Sequence, residues 1–131
     1  MTLIRNSNQV KQAIDFAGIE NGVMHPTDID AVFEFDNEAI IFIEVKKEGN
    51  TIPTGQRLVL ERLVEAWRTP KAIALFVTHP GTDVTQDIPL QECSVIKYYT
   101  QQTKWQIMKK SPLKNILNFL GKQWDIEKLK L

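Results

Sequence analysis

The sequence predicts an α/β fold in which helices cover a mixed sheet, and three observations carry that expectation. Strand-like runs and helix-like apolar stripes succeed one another along the chain. One run, residues 39–46 (AIIFIEVK), is apolar on both faces up to Ile43, as a central strand covered on both sides must be. The length of 131 residues suits one domain with one hydrophobic core.

The elements follow in order. Asn6, Ser7 and Asn8 offer N-caps to a first helix whose stripe is Val10, Ala13, Ile14 and Ala17, with Gly18 as its stop. A Gly/Pro-marked loop runs from Gly22 to Pro26. Residues 29–36 (IDAVFEFD) and 39–46 read as two strands joined by a polar turn at Asp36, Asn37 and Glu38. Pro53 opens a long helix with Leu60, Leu63, Val64 and Trp67 on one side, and Thr69-Pro70 ends it. Residues 71–78 (KAIALFVT) are another buried strand; 94–100 (SVIKYYT) and 104–108 (KWQIM) are later strands that can form a hairpin. Ser111-Pro112 precedes a last helix with Leu113, Ile116, Leu117 and Leu120 inward and Lys114 and Lys122 outward. There is no internal repeat. The expectation is a single domain over residues 1–131, with its core at about 7–78 and an extension at about 79–131.

Composition narrows the chemistry. One cysteine, Cys93, excludes an internal disulfide, and with only His25 and His79 beside it a thiol- or imidazole-rich metal site is not expected. A hard cation held by carboxylates stays open. No apolar run reaches membrane-spanning length and the first residues lack the apolar stretch of a signal peptide, which predicts a cytoplasmic protein with no membrane partner. The net charge is zero but unevenly spread: residues 1–65 carry six Lys/Arg against eleven Asp/Glu, and residues 66–131 ten against five. A carboxylate-rich half beside a basic half suits a protein that brings a cation and a polyanion together; chance segregation of surface charge is the plainer alternative.

Strand parity singles out a cluster of charges. Side chains alternate across a strand, so Asp28, Asp30, Val32 and Glu34 share one face of the first strand, and Ile40, Phe42, Glu44 and Lys46 one face of the second. If the turn has three residues, Phe35 pairs with Ala39, which sets Asp30 opposite Glu44 and Asp28 opposite Lys46; a two-residue turn would shift the register by one. Opposed like charges destabilise a sheet, and a divalent cation between them removes the conflict. Two carboxylates and a phosphate oxygen suffice for magnesium, which keeps several waters; the backbone carbonyl of Val45 is a further candidate ligand. Lys46 beside the acids can orient a water or neutralise developing charge. Gln56 continues the inward stripe of the long helix, four residues before Leu60, and so aims toward the strand ends; a glutamine capping free backbone amides is the structural alternative.

Read together, Pro26-Thr27-Asp28-Ile29-Asp30, Glu44-Val45-Lys46 and Gly55-Gln56 resemble the PD-(D/E)XK nuclease superfamily. The resemblance covers roughly residues 7–78 and looks closest to small stand-alone members, the Holliday-junction-resolvase-like and VRR-NUC-like enzymes, including short phage-encoded ones. It implies a restriction-endonuclease-like αβββαβ core with C-terminal strand and helix additions. It also implies Mg2+ or Mn2+ on Asp30 and Glu44, Lys46 as the catalytic lysine, and Gln56 as the helix glutamine that steadies the site or touches substrate. The implied activity is hydrolysis of DNA phosphodiester bonds, on branched or otherwise structured DNA in repair, recombination or phage replication. The pattern departs from the family where Thr27 interrupts the Pro-Asp dipeptide, so Asp28 competes with Asp30. The acid that many members carry on the first helix has no clear counterpart: Asp15 lies off the apolar stripe, and Glu20 falls in the following loop as a possible ligand.

Other residues fit a nucleic-acid partner in outline. Lys47, Arg57, Arg62, Lys104, Lys109, Lys110 and Lys114 are candidate phosphate contacts, which give affinity without sequence reading; Arg57 and Arg62 can equally pair with Glu61 and Glu65. Tyr99 and Trp105 can stack bases, although core packing is the commoner fate of such residues. The small size makes a homodimer one arrangement for spanning a duplex junction. A non-catalytic nucleic-acid-binding module of the same fold, and an interaction protein with surface carboxylates, are the competing functions.

Overall fold

The computed structural model describes residues 14–24, 26–81 and 87–131. Five strands form one mixed sheet in the order β1-β2-β3-β4-β5: β1 (Ala31–Phe35), β2 (Ala39–Lys47), β3 (Ala72–His79), β4 (Ser94–Thr100) and β5 (Lys104–Pro112). Helix α1 (Thr54–Ala66) joins β2 to β3, and α2 (Leu113–Gln123) follows β5. The β2–β3 pair is parallel and every other pair antiparallel. A parallel pair needs a crossover, and α1 supplies it.

Among the described residues, each face of the sheet carries one helix. Ile40, Phe42, Ala72, Ala74 and Tyr99 pack with Leu60 and Val64 of α1. Ile41, Ile43, Ile73, Leu75, Val77 and Val95 pack with Leu113, Leu117 and Leu120 of α2. The alternation along β2 that sends odd and even residues to different helices is why the whole of its run from Ala39 to Glu44 is buried. Residues beyond 79 supply much of this packing, so the C-terminal extension is integral to the core. Leu63, expected inward on α1, is 37% exposed at the flank of the helix.

Two expectations change. Residues 14–17, where the first helix should end, form no helix: the Ala17 amide donates to Asp15 Oδ1 at 2.9 Å, a local bond that competes with helical pairing. Gly18 turns the chain at φ 85°; Val10 and Ala13 lie outside the described residues. Only two strands precede α1 among the described residues, so the order there is ββαβββα and not αβββαβ.

The β1–β2 hairpin has the expected register, with Phe35 opposite Ala39 and Ala31 opposite Ile43. Asp36 and Asn37 make the turn with positive φ, which these two residue types tolerate best after glycine. The Glu38 amide then donates to Phe35 O at 2.9 Å. On the α1 side, Val32 is 48% exposed and Glu34 is exposed, so the face over β1 is left open. That opening leads to the charged end of β2.

Candidate active site

Continuing the hairpin register by one residue beyond Ala31 sets Asp30 opposite Glu44. The Asp30 carboxylate is fixed there because its Oδ2 accepts a 2.7 Å hydrogen bond from the Val45 amide. Asp30 remains exposed, whereas Glu44 is only 1% exposed. Lys46, on the same face as Glu44, places its Nζ 3.3 Å from Glu44 Oε1. Burial first, and then the neighbouring Asp30 charge, push the Glu44 carboxyl up to about 7 against the pull of Lys46. Glu44 Oε2 is buried and has no hydrogen-bond partner. A buried polar atom without a partner is costly, and its presence between a second carboxylate and a lysine needs an explanation.

A hard cation fits these residues. Two carboxylates offer oxygen donors, and the unpartnered Oε2 is an acceptor ready for a ligand. Asp30 and Glu44 would hold the ion, with waters completing its shell. Among the described residues no group of three or more His, Cys, Asp or Glu side chains is placed to hold an ion, so neither Glu20 nor Asp28 joins the pair. Glu20 lies exposed in the 14–24 loop, where Asn21 Oδ1 instead closes a turn by accepting the Val23 and Met24 amides. Asp28 contributes its backbone: Gln56 Nε2 donates to Asp28 O at 3.1 Å. The glutamine therefore ties the first turn of α1 to the segment that delivers Asp30, two residues on. Val45, whose carbonyl was a candidate ligand, lies opposite Val77 in the β2–β3 ladder.

Several of the basic residues are held in ion pairs. Arg57 Nη1 pairs with Glu61 at 2.6 Å, Lys104 pairs with Glu65, and Lys110 lies 3.5 Å from Glu48. Lys47, Lys109 and Lys114 are exposed. Tyr99 is a core residue: its hydroxyl donates to Glu65 at 2.8 Å, and burial pushes it up to about 12. Trp105 is half-buried, tilted against Tyr99 at 5.4 Å between centroids, and its indole N–H donates to Glu61 at 2.9 Å. His25 lies outside the described residues, and His79 closes β3.

One cation escaped the sequence reading. Lys97 lies opposite Phe76 on β3, and Phe76 lies opposite Glu44 on β2. The three therefore form a row across the sheet on the α1 side. A lysine inside the otherwise apolar run 94–100 was the available signal. A β-bulge between Val95 and Lys97 sends Val95 into the α2-side core and leaves Lys97 on the α1 side, as bulges do when they re-aim a side chain.

The chain matches no protein-family model, no curated protein and no solved structure. Among the described residues, no helix is long and apolar enough to cross a membrane.

Proposed function

We propose that this chain is a metal-dependent nuclease of the PD-(D/E)XK kind that hydrolyses DNA phosphodiester bonds with Mg2+ or Mn2+, acting in the cytoplasm. On this reading the β1, β2, α1 and β3 elements are a variant of the restriction-endonuclease-like core. The observation that carries the proposal is the convergence of Asp30, Glu44 and Lys46 at one end of a buried strand, with Glu44 orphaned at Oε2. A purely structural role explains this poorly, since burying a carboxylate beside another one costs stability.

Each residue has a part. Asp30 is held rigidly by the Val45 amide, so its free oxygen needs no reordering to bind. Glu44 loses its proton when a positive charge arrives, because that charge reverses the effect of burial. Lys46 is oriented by its ion pair with Glu44 and can deliver its ammonium to the negative charge that builds on the scissile phosphate. Gln56 positions the Asp30 segment through Asp28 O. The bound ion supplies charge neutralisation at the phosphate and a more acidic water.

The Lys46–Glu44 pair also favours one competing reading: it neutralises the site internally, as a DNA-binding module that had lost catalysis would. One experiment separates the two. Linear, nicked and branched DNA are incubated with the protein in Mg2+, Mn2+ or EDTA. Metal-dependent cleavage that falls at least about a hundredfold in Asp30→Ala, Glu44→Ala and Lys46→Ala is the expected result. Metal-independent binding without cleavage supports the module and rejects the enzyme.

A further inference from the structure

Beside the charged row lies a groove of about 290 Å³, whose lining includes Ile52, Arg57, Phe76, Lys97, Trp105 and Ile107. It begins where the candidate active site ends, because Phe76 is the register partner of both Glu44 and Lys97. From Glu44 to Lys97 is two strand spacings, roughly 10 Å between backbones, and the Lys97 ammonium leans back over Phe76, which lies between them, so it reaches toward a phosphate next to the site. Among the described residues no carboxylate lines the groove. Of the two cations among its described lining residues, Arg57 is committed to Glu61. Lys97 rests over the Phe76 ring, 5.6 Å from its centroid, and has no carboxylate partner among the described residues. Ile107, opposite Lys97 on β5, is 83% exposed, and the Trp105 ring is fixed by Glu61 and Tyr99.

We infer that this groove takes one unpaired nucleotide adjacent to the scissile phosphate, with Lys97 on the neighbouring phosphate and the base against Trp105 and Ile107. The inference rests on the nuclease reading and names its substrate class: DNA with a single-stranded segment, such as a flap, a branch or an open end. A base inside an intact duplex is stacked on both faces and paired at its edge. It cannot enter a pocket of this size without being flipped out. An unpaired base enters without that cost and gains contact with a ready-fixed aromatic ring. The charge matches as well, since among the described residues the groove holds an ammonium with no carboxylate partner, which attracts phosphate.

The test is binding of the full chain to a fluorescein-labelled single-stranded oligonucleotide and to the matching blunt duplex, in EDTA so that no cleavage intervenes. Wild type should bind the single strand about tenfold more tightly than the duplex. Lys97→Ala should weaken single-strand binding and lower its salt slope by about 0.7, while Lys97→Arg restores both. Ile107→Glu, at an open surface position that does not threaten folding, should abolish the preference. Equal affinity of wild type for the two forms overturns the inference, as does an unchanged salt slope in Lys97→Ala. The two readings fail separately: single-strand preference without metal-dependent cleavage refutes the nuclease but keeps the groove, and cleavage indifferent to strandedness refutes the groove but keeps the nuclease.

Discussion

Replacing Glu44 by glutamine should make the protein more stable above neutral pH, although it removes one half of an ion pair. The carboxyl titrates at about 7 in the folded chain against an ordinary 4.5. The folded state therefore binds this proton more tightly than the unfolded chain does. Its contribution to stability is most favourable below pH 4.5, falls as pH rises from there to about 7, and is level beyond. Over that window the loss comes to about 3 kcal/mol, a figure that already includes the attraction of Lys46. Glu44→Gln keeps the shape of the side chain and cannot ionise, so it escapes the loss. Urea denaturation in metal-free buffer, compared at pH 4.5, 6 and 8, gives the measurement. Wild type and Glu44→Gln should lie close together at pH 4.5 and separate by about 3 kcal/mol in favour of the variant at pH 8. Added Mg2+ should then stabilise wild type and leave the variant unmoved. A gap that stays constant across the three pH values would refute the argument from burial, since only a titrating group produces a gap that opens with pH.

Three further outcomes follow from the packing and the hydrogen bonds. Gly121→Ala puts a methyl group 2.2 Å from Leu129 O, so the C-terminal tail must shift; a loss of about 1–3 kcal/mol is expected in thermal or chemical denaturation. Gln56→Ala releases Asp28 O and should cost about 1 kcal/mol of stability, while DNA cleavage falls far more than that modest change explains, because Asp30 loses its brace; the two are read by melting and by cleavage rate. Cys93 is 1% exposed and burial raises its thiol pKa, so a thiol-specific reagent should modify it only in denaturant, at a rate that follows unfolding.

The parts of this molecule that were legible in the sequence are those fixed by period and by turn chemistry. Asp36-Asn37-Glu38 reads as a short polar hairpin turn, and with the three-residue turn observed the two-residue period fixes every partner back to Ala31 and Ile43. The double apolar face of Ile40 to Ile43 marks β2 as interior for the same reason. Glu44 and Lys46 follow by parity alone, and Asp30 by one step of register. What was hidden depends on contacts between distant residues or on local exceptions. The β-bulge that separates the facing of Val95 from that of Lys97 breaks the period, and nothing near it in the chain announces it. The Asp15 side chain captures the Ala17 amide, so residues 14–17 are not helical although Ile14 and Ala17 continue a helical stripe. The ion pairs of Lys104 and Lys110 join residues about forty and sixty positions apart, beyond the reach of any local pattern.

Strand β5 closes one side of the sheet and, among the described residues, has no neighbour beyond it. A nine-residue open edge is a template on which a second chain can add a strand. Lys104, Lys109 and Lys110 all lie on it, and the charge they carry is a defence against such pairing. The residues first suspected of holding DNA therefore also help to keep the molecules apart. Neutralising them would license edge-to-edge aggregation, so a fall in DNA affinity in such variants is meaningful only where light scattering still reports the original particle size. Any dimer of this chain should form through a helical face and leave that edge facing water.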